Sequence, residues 1–345
     1  MSRSQSAVTM RDVAALAGVS LKTVSNVVND YPYLKASTRF RVEAAIEKLG
    51  YRVNQTARNL RQGRTGLIKL VLPELRIPYF AELADSIVTE AASRGLTVLL
   101  EQHRYDRELE LSLLRGHGST QVDGVIFSPI NIGPADATVL QVDFPLVLLG
   151  ESIFDAPCDH VSMRNIEGAA AQVEHLLTLG RGAFAVIGLN DQPTVSSSTL
   201  RFKGVEQALT RAGIALDQRL IAGQSPWTRS FGAQAMAQLL ETGLKLDAVI
   251  CLNDTLALGA LYELVRQGRR VPEDVALIGF DNIEETRYSH PTCSTIDPGG
   301  PAIAHLAVEM LAERIGLDEG FDLALGPREV LVDFELLARA STLGA

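Results

Sequence analysis

Apolar positions in the first 50 residues follow a helical period. Val13, Ala14, Leu16 and Ala17 recur at helical spacing, and Val24, Val27 and Val28 do so again after Gly18-Val19-Ser20. Glycine adopts the left-handed conformation that ends a helix at no steric cost. The Ser20 hydroxyl can accept a backbone N–H at the start of the next helix. The spacing predicts two short helices around a tight turn within residues 9–29, the layout that enters a DNA major groove. An ordinary helical hairpin has the same pattern. Asp30-Tyr31-Pro32 reads as a turn. Ser37 or Thr38 can then cap a third helix through Val42, Ala45, Ile46 and Leu49, stopping at Gly50. Residues 51–66 read as a linker in which Asn54 can cap a short helix through Leu60. A helix this short needs a packing partner, and a plain tether is the other reading.

From Leu67 the period changes to short apolar runs alternating with helices. Strands are predicted at 67–72, 97–100, 124–128 and 146–149, with helices at 78–94, 108–115 and 135–142 between them. The scheme then repeats. Helices at 166–179, 200–212, 229–241 and 255–266 alternate with strands at 183–187, 220–222, 248–252 and 275–278. A helix at 302–315 and a strand at 329–334 close the chain. This order predicts an α/β body of two doubly wound parallel sheets, with a ligand in the cleft at the carboxyl ends of the strands.

Charge changes the picture. The chain of 345 residues carries −9 overall, which alone argues against nucleic acid. Residues 1–64, however, hold 11 Lys+Arg against 4 Asp+Glu, a net of +7, and the remainder 21 against 37, a net of −16. A basic head on an acidic body suggests a nucleic-acid module fused to a part with another job. No apolar run reaches the roughly 20 residues of a membrane span, and residues 1–8 lack a secretory h-region. Cys158, Cys251 and Cys293 are odd in number and far apart. They imply a reducing cytoplasm, and their spacing fits neither a disulfide framework nor zinc.

Catalytic constellations are missing. There is no Gly-x-Ser-x-Gly and no phosphate loop. The histidines have no metal-ligand spacing and are expected mostly at the surface, and Cys251 is expected in buried packing. Neither catalytic residues, nor a metal, nor a cofactor is expected.

Several stretches are specific enough to carry a family resemblance: "VTMRDVAALAGVSLKTVSNVVN", "TRFRVEAAIEKLGY" and "ARNL" in the head, then "PYFAELADSI", "DGVIFSP", "RFKGVEQAL", "CLNDTLALGAL" and "VPEDVALIGFDN". In this order and spacing the chain resembles the LacI-type bacterial transcription regulators over essentially its whole length. The resemblance implies an all-α helix-turn-helix DNA-binding head (1–52), a hinge helix or linker (53–66), and an α/β two-lobed, periplasmic-binding-protein-like sensor (67–345). The first lobe would take about 67–160 and 297–318, the second about 161–290 and 325–345.

It also implies site residues. Leu21, Lys22 and Asn26 would meet base edges, Lys22 donating to guanine and Asn26 pairing with adenine. Ser20, Thr23 and Asn29 would face phosphates. Many relatives carry arginine in place of Asn26. Ala57 and Leu60 would enter the minor groove, Leu60 as a wedge, and Val53 stands where a proline is usual. In the sensor, Arg201 would clamp ligand hydroxyls or carboxylates, Asn253 and Asp281 would bind a polyhydroxylated ligand, and Phe80 and Trp227 would wall it. Phe80 also reads as plain core, Trp227 as a loop residue and Asp281 as a cap. Asp297 replaces a family glutamine. The expected function is a cytoplasmic, nucleoid-associated repressor without enzymatic activity. It would bind double-stranded operator DNA as a homodimer, controlled by a small sugar-like effector. A sugar-binding transport component and a sugar-modifying enzyme are the competing classes. They would need an export signal and an acid/base pair, respectively.

Overall fold

The computed structural model describes residues 8–28, 31, 33–51, 64–115, 122–190, 195–223, 227–317 and 326–344. Val53, Asn29, Ala57 and Leu60 lie outside them. The chain divides into two units, Met1–Thr65 and Gly66–Ala345.

In the first unit, α1 (Met10–Ala17), α2 (Leu21–Val28) and α3 (Ala36–Leu49) pack around Val13, Ala17, Val24, Val27 and Val42. Gly18 takes φ +64° and its N–H reaches Ala14 O, so α1 stops there. Thr9 and Asp12 close a reciprocal capping box at its start. Thr23 N donates to Ser20 Oγ at 3.1 Å, which starts α2. Two expectations change. Leu16 faces solvent rather than the core, 45% exposed. Helix α3 begins at Ala36 behind Lys35, without a Ser37 or Thr38 cap. It ends at Gly50 in the left-handed region.

The second unit has two parallel sheets. The first contains β1 (Leu67–Leu72), β2 (Thr97–Gln102), β3 (Gly124–Phe127), β4 (Leu146–Leu149), β5 (Asp159–Met163) and β11 (Glu329–Val332), in the order β11-β5-β4-β3-β1-β2. Helices α4 (Pro78–Ser93) and α11 (Gly300–Arg314) cover one face through Leu83, Ile87, Ile303 and Val308. Helix α5 (Arg107–Arg115) and the 3-10 turn Pro134–Leu140 cover the other. The second sheet runs β7-β6-β8-β9, from Ile221–Ala222, Phe184–Ile187, Ala248–Cys251 and Ala276–Ile278. It lies between α6 (Asn165–Thr178) with α7 (Ser197–Arg211), and α8 (Arg229–Glu241) with α9 (Asp254–Arg266). An antiparallel pair, β10 (Thr295–Asp297) with β12 (Glu335–Leu337), forms a small separate sheet. The one-turn helices α10 (Glu285–Tyr288) and α12 (Ala340–Leu343) flank these strands. No helix among the described residues is long and apolar enough to cross a membrane.

The lobe boundaries differ from the expected ones. Residues 161–163 and 329–332 belong to the first lobe, because β5 pairs with β4 and β11 pairs with β5. The reason is chemical. The strand β5 sequence, Asp-His-Val-Ser-Met, has no apolar run, yet it is wholly buried. Its first two polar side chains are partnered: Asp159 accepts from Arg314 Nη2 at 2.9 Å and Arg328 Nη2 at 2.8 Å, and His160 Nε2 donates to Gly150 O at 2.6 Å. His103 is buried as well as His160, whereas His290 and His305 are exposed and His175 is half-buried.

Candidate functional site

On α2, Leu21 and Lys22 are exposed and Asn26 half-buried. Lys22 and Asn26 stand four residues apart, one helical turn, so they share a face. Ser20 Oγ lies 2.9 Å from Thr23 Oγ1 as well as accepting the cap bond, so part of its capacity is spent inside the protein. Val24 and Val27 on the opposite side hold α2 to the small core. That face carries one exposed cation and one half-buried amide a helical turn apart.

The second unit has a cleft of about 1090 Å³, counting its open mouth. Strand ends from both sheets supply its wall, as expected where parallel strands present their carboxyl edges. Phe80, Arg201, Trp227, Asn253 and Asp281 all line it. Phe80 comes from the first turn of α4. Asn253 follows β8 and caps α9, its Oδ1 accepting from Leu256 N at 2.9 Å. Trp227 is anchored rather than loose, since Nε1 donates to Gly188 O at 2.9 Å. Gly188 has φ +117°, and a Cβ there would meet Leu256 at 2.6 Å, so only glycine fits beneath the tryptophan.

Arg201 is buried, 3% exposed. Its Nε donates to Asn165 Oδ1 at 2.7 Å, Nη1 to Leu252 O at 2.6 Å and Nη2 to Met163 Sδ at 3.2 Å. Nη1 also stands 3.1 Å from Asp281 Oδ1, and the guanidinium lies 3.7 Å from the centroid of the Phe280 ring. Asn165 passes the connection on, since its Nδ2 donates to Glu151 Oε1 at 2.8 Å. A continuous polar chain thus runs Glu151–Asn165–Arg201–Asp281. Glu151 follows β4 of the first lobe and Asp281 follows β9 of the second.

The electrostatics follow from burial. Desolvation pushes the Asp281 carboxyl up to about 6, against the pull of Arg201 and with the added push of Glu151. Burial and the same two carboxylates hold the Tyr79 phenol well above its ordinary value, so it stays a donor. One buried wall atom, Ser162 Oγ, has no hydrogen-bond partner among the described residues. Such an atom costs about 1–3 kcal/mol, a cost a bound molecule can remove.

Tyr79, Glu151, Asn165 and Ser162 were not singled out from sequence. Glu151 stands two residues past the apolar run of β4, but its role depends on Asn165, which belongs to the other lobe. Asp297 lies outside the cleft wall, accepting from Asn282 Nδ2 and Gly299 N, each at 2.8 Å.

Comparison with known proteins agrees with this architecture. Residues 9–54 match the bacterial regulatory proteins of the lacI family, and residues 173–342 match the periplasmic binding protein-like domain. The chain is 32% identical over 343 residues to the HTH-type transcriptional repressor CytR of Escherichia coli strain K12, covering 99% of this chain and 98% of that one. The chain belongs to the lacI family. Among solved structures, a putative LacI-family transcriptional regulator from Sanguibacter keddieii is 42% identical with TM-score 0.73, over 81% of this chain and 100% of that one. The lac repressor dimer bound to operator and the anti-inducer ONPF is 26% identical with TM-score 0.78, over 98% and 100%. A complex of the regulator CelR with cellobiose is 27% identical with TM-score 0.70, over 97% and 99%. As a lacI-family member the protein is a DNA-binding transcriptional repressor and not an enzyme. Its helix-turn-helix is the DNA-binding module, and its two-lobed α/β unit is periplasmic-binding-protein-like.

Proposed function

We propose that this repressor binds a pseudo-palindromic operator as a homodimer and that a small sugar-like molecule in the cleft controls its DNA affinity. The observation that carries the reading is the Glu151–Asn165–Arg201–Asp281 chain. It joins both lobes along the wall of the cleft, so a ligand there touches the groups that hold the lobes together. Phe80 and Trp227 supply flat apolar walls, and Asn253 and Asp281 supply polar groups, a combination suited to a sugar ring. Two similar solved structures support the reading: a lac repressor dimer bound to operator and an anti-inducer, and a complex of CelR with cellobiose.

In the proposed complex two heads occupy successive major grooves, with Leu21, Lys22 and Asn26 at base edges and Ser20, Thr23 and Asn29 at phosphates. Ala57 and Leu60 of each chain meet in the minor groove between them. The protein acts in the cytoplasm on nucleoid DNA. Ligand binding shifts the population competent for operator, and linkage makes the effect reciprocal. The test is a pair of titrations. Ligand affinity measured with and without operator must differ by the factor by which ligand changes operator affinity. Identical ligand affinity in both would remove regulation through this cleft.

A further inference from the structure

Resting on the cleft being the effector site, the charge around it narrows the ligand. Arginine offers five N–H donors. In Arg201, Nε and both Nη1 donors face Asn165, Leu252 and Asp281, and Nη2 gives one to Met163 sulfur. Its charge is matched by Asp281, and its flat face is covered by Phe280. Arg201 is the single cation among the described cleft-lining residues, set against the two carboxylates Glu151 and Asp281. Glu82 adds to the negative field at Asp281. An anionic ligand would therefore meet a net negative wall with almost no uncommitted donor.

Acceptors are available instead. Ser162 Oγ has no hydrogen-bond partner among the described residues, Asp281 Oδ1 is held by the ion pair with Arg201 alone, and the two belong to opposite lobes. A hydroxyl-rich ring can donate to Asp281 and exchange hydrogen bonds with Ser162. We infer that the cleft selects an uncharged glycosyl compound and rejects the phosphorylated or carboxylated form of the same molecule. Arg201 is then a positioning residue that holds Asp281 and Asn165 in place, rather than a receptor for ligand anions.

The experiment is isothermal calorimetry of the full-length protein at neutral pH with matched pairs: adenosine and adenosine monophosphate, glucose and glucose phosphate, cellobiose and cellobionate. The expected result is that the neutral member of at least one pair binds, and that its anionic partner binds at least tenfold more weakly. In Glu151→Gln the ratio of neutral to anionic affinity should shrink at least threefold. An anion that matches or exceeds its neutral partner overturns the charge selection alone. No binding by any member at millimolar concentration, with operator binding intact, overturns the glycosyl reading of the cleft itself. An anion penalty unchanged in Glu151→Gln overturns the assignment of that penalty to the carboxylate wall.

Discussion

Glu110 stands 2.9 Å from His103, Oε1 against Nδ1, with both side chains wholly buried. The carboxylate also accepts backbone N–H bonds from Asn131 at 3.0 Å and Ile132 at 3.1 Å, and one from Ile130. On its other side His103 Nε2 donates to Ser128 O at 3.1 Å. One buried acid and one buried histidine therefore pin the loop after β3, and Ser128, Pro129 and Ile130 of that loop line the cleft. Removing the acid leaves several donors unpaired in the interior. Glu110→Ala is expected to cost about 3–5 kcal/mol, read from the urea midpoint at unchanged slope. Weakened effector binding should accompany it, with head-domain DNA contacts unaffected. A loss below about 1 kcal/mol would mean the loop is held elsewhere.

Arg201 has a different signature. Its removal leaves Asp281 buried without its counter-charge, so Arg201→Met should lower stability by about 3–5 kcal/mol. Ligand response should vanish while operator binding persists below the lowered melting temperature. Pairing the change with Asp281→Asn removes the stranded charge, and the double variant should regain at least half of the lost stability. Simple additivity of the two changes in denaturation experiments would show that the ion pair is not the coupling.

At the other end, Lys22→Ala should relax base preference at one position per half-site, at about 1–3 kcal/mol, without altering ligand affinity. Selection from a randomised operator library reads the first effect and calorimetry the second. A uniform loss across all sequences with a shallower salt slope would instead place Lys22 on phosphate.

Much of this was legible in the chain itself, for identifiable reasons. Gly18 and Ser20 punctuate the head because backbone conformation and capping are local properties. Asn253, Asp281 and Arg201 stand out through the family resemblance; Asn253 and Asp281 also follow apolar strands, where a parallel sheet presents side chains to a ligand, whereas Arg201 lies in the second turn of α7. Strand β5 was hidden because burial of Asp159 and His160 depends on Arg314, Arg328 and Gly150, partners far away in sequence. Glu151 and Asn165 were hidden for the same reason, since their roles exist only once both lobes come together. The lobe boundary moved because the chain crosses between sheets where hydrophobic patterning is weakest.

Asp281 makes the sensor's stability depend on pH in an unusual direction. Its carboxyl rises from an ordinary 3.8 to about 6 in the folded protein, so between those values the folded state binds more protons than the unfolded one. Stability on this account is greatest below about pH 4 and falls as pH rises through 6. The span corresponds to about 2–3 kcal/mol at 1.36 kcal/mol per pKa step. Asp159 works the other way. Burial raises its carboxyl, but the bonds from Arg314 and Arg328 outweigh that and hold it below the ordinary value. Its stabilisation is complete above the ordinary carboxylate value and is lost only as pH falls through its lowered one. The two contributions therefore separate by variant. Subtracting the unfolding free energy of Asp281→Asn from that of the parent at each pH should leave a curve that declines between about pH 4 and 6 and is flat above 7. A difference curve that rises with pH would mean that Arg201 dominates burial and that Asp281 is an ordinary ion-paired carboxylate.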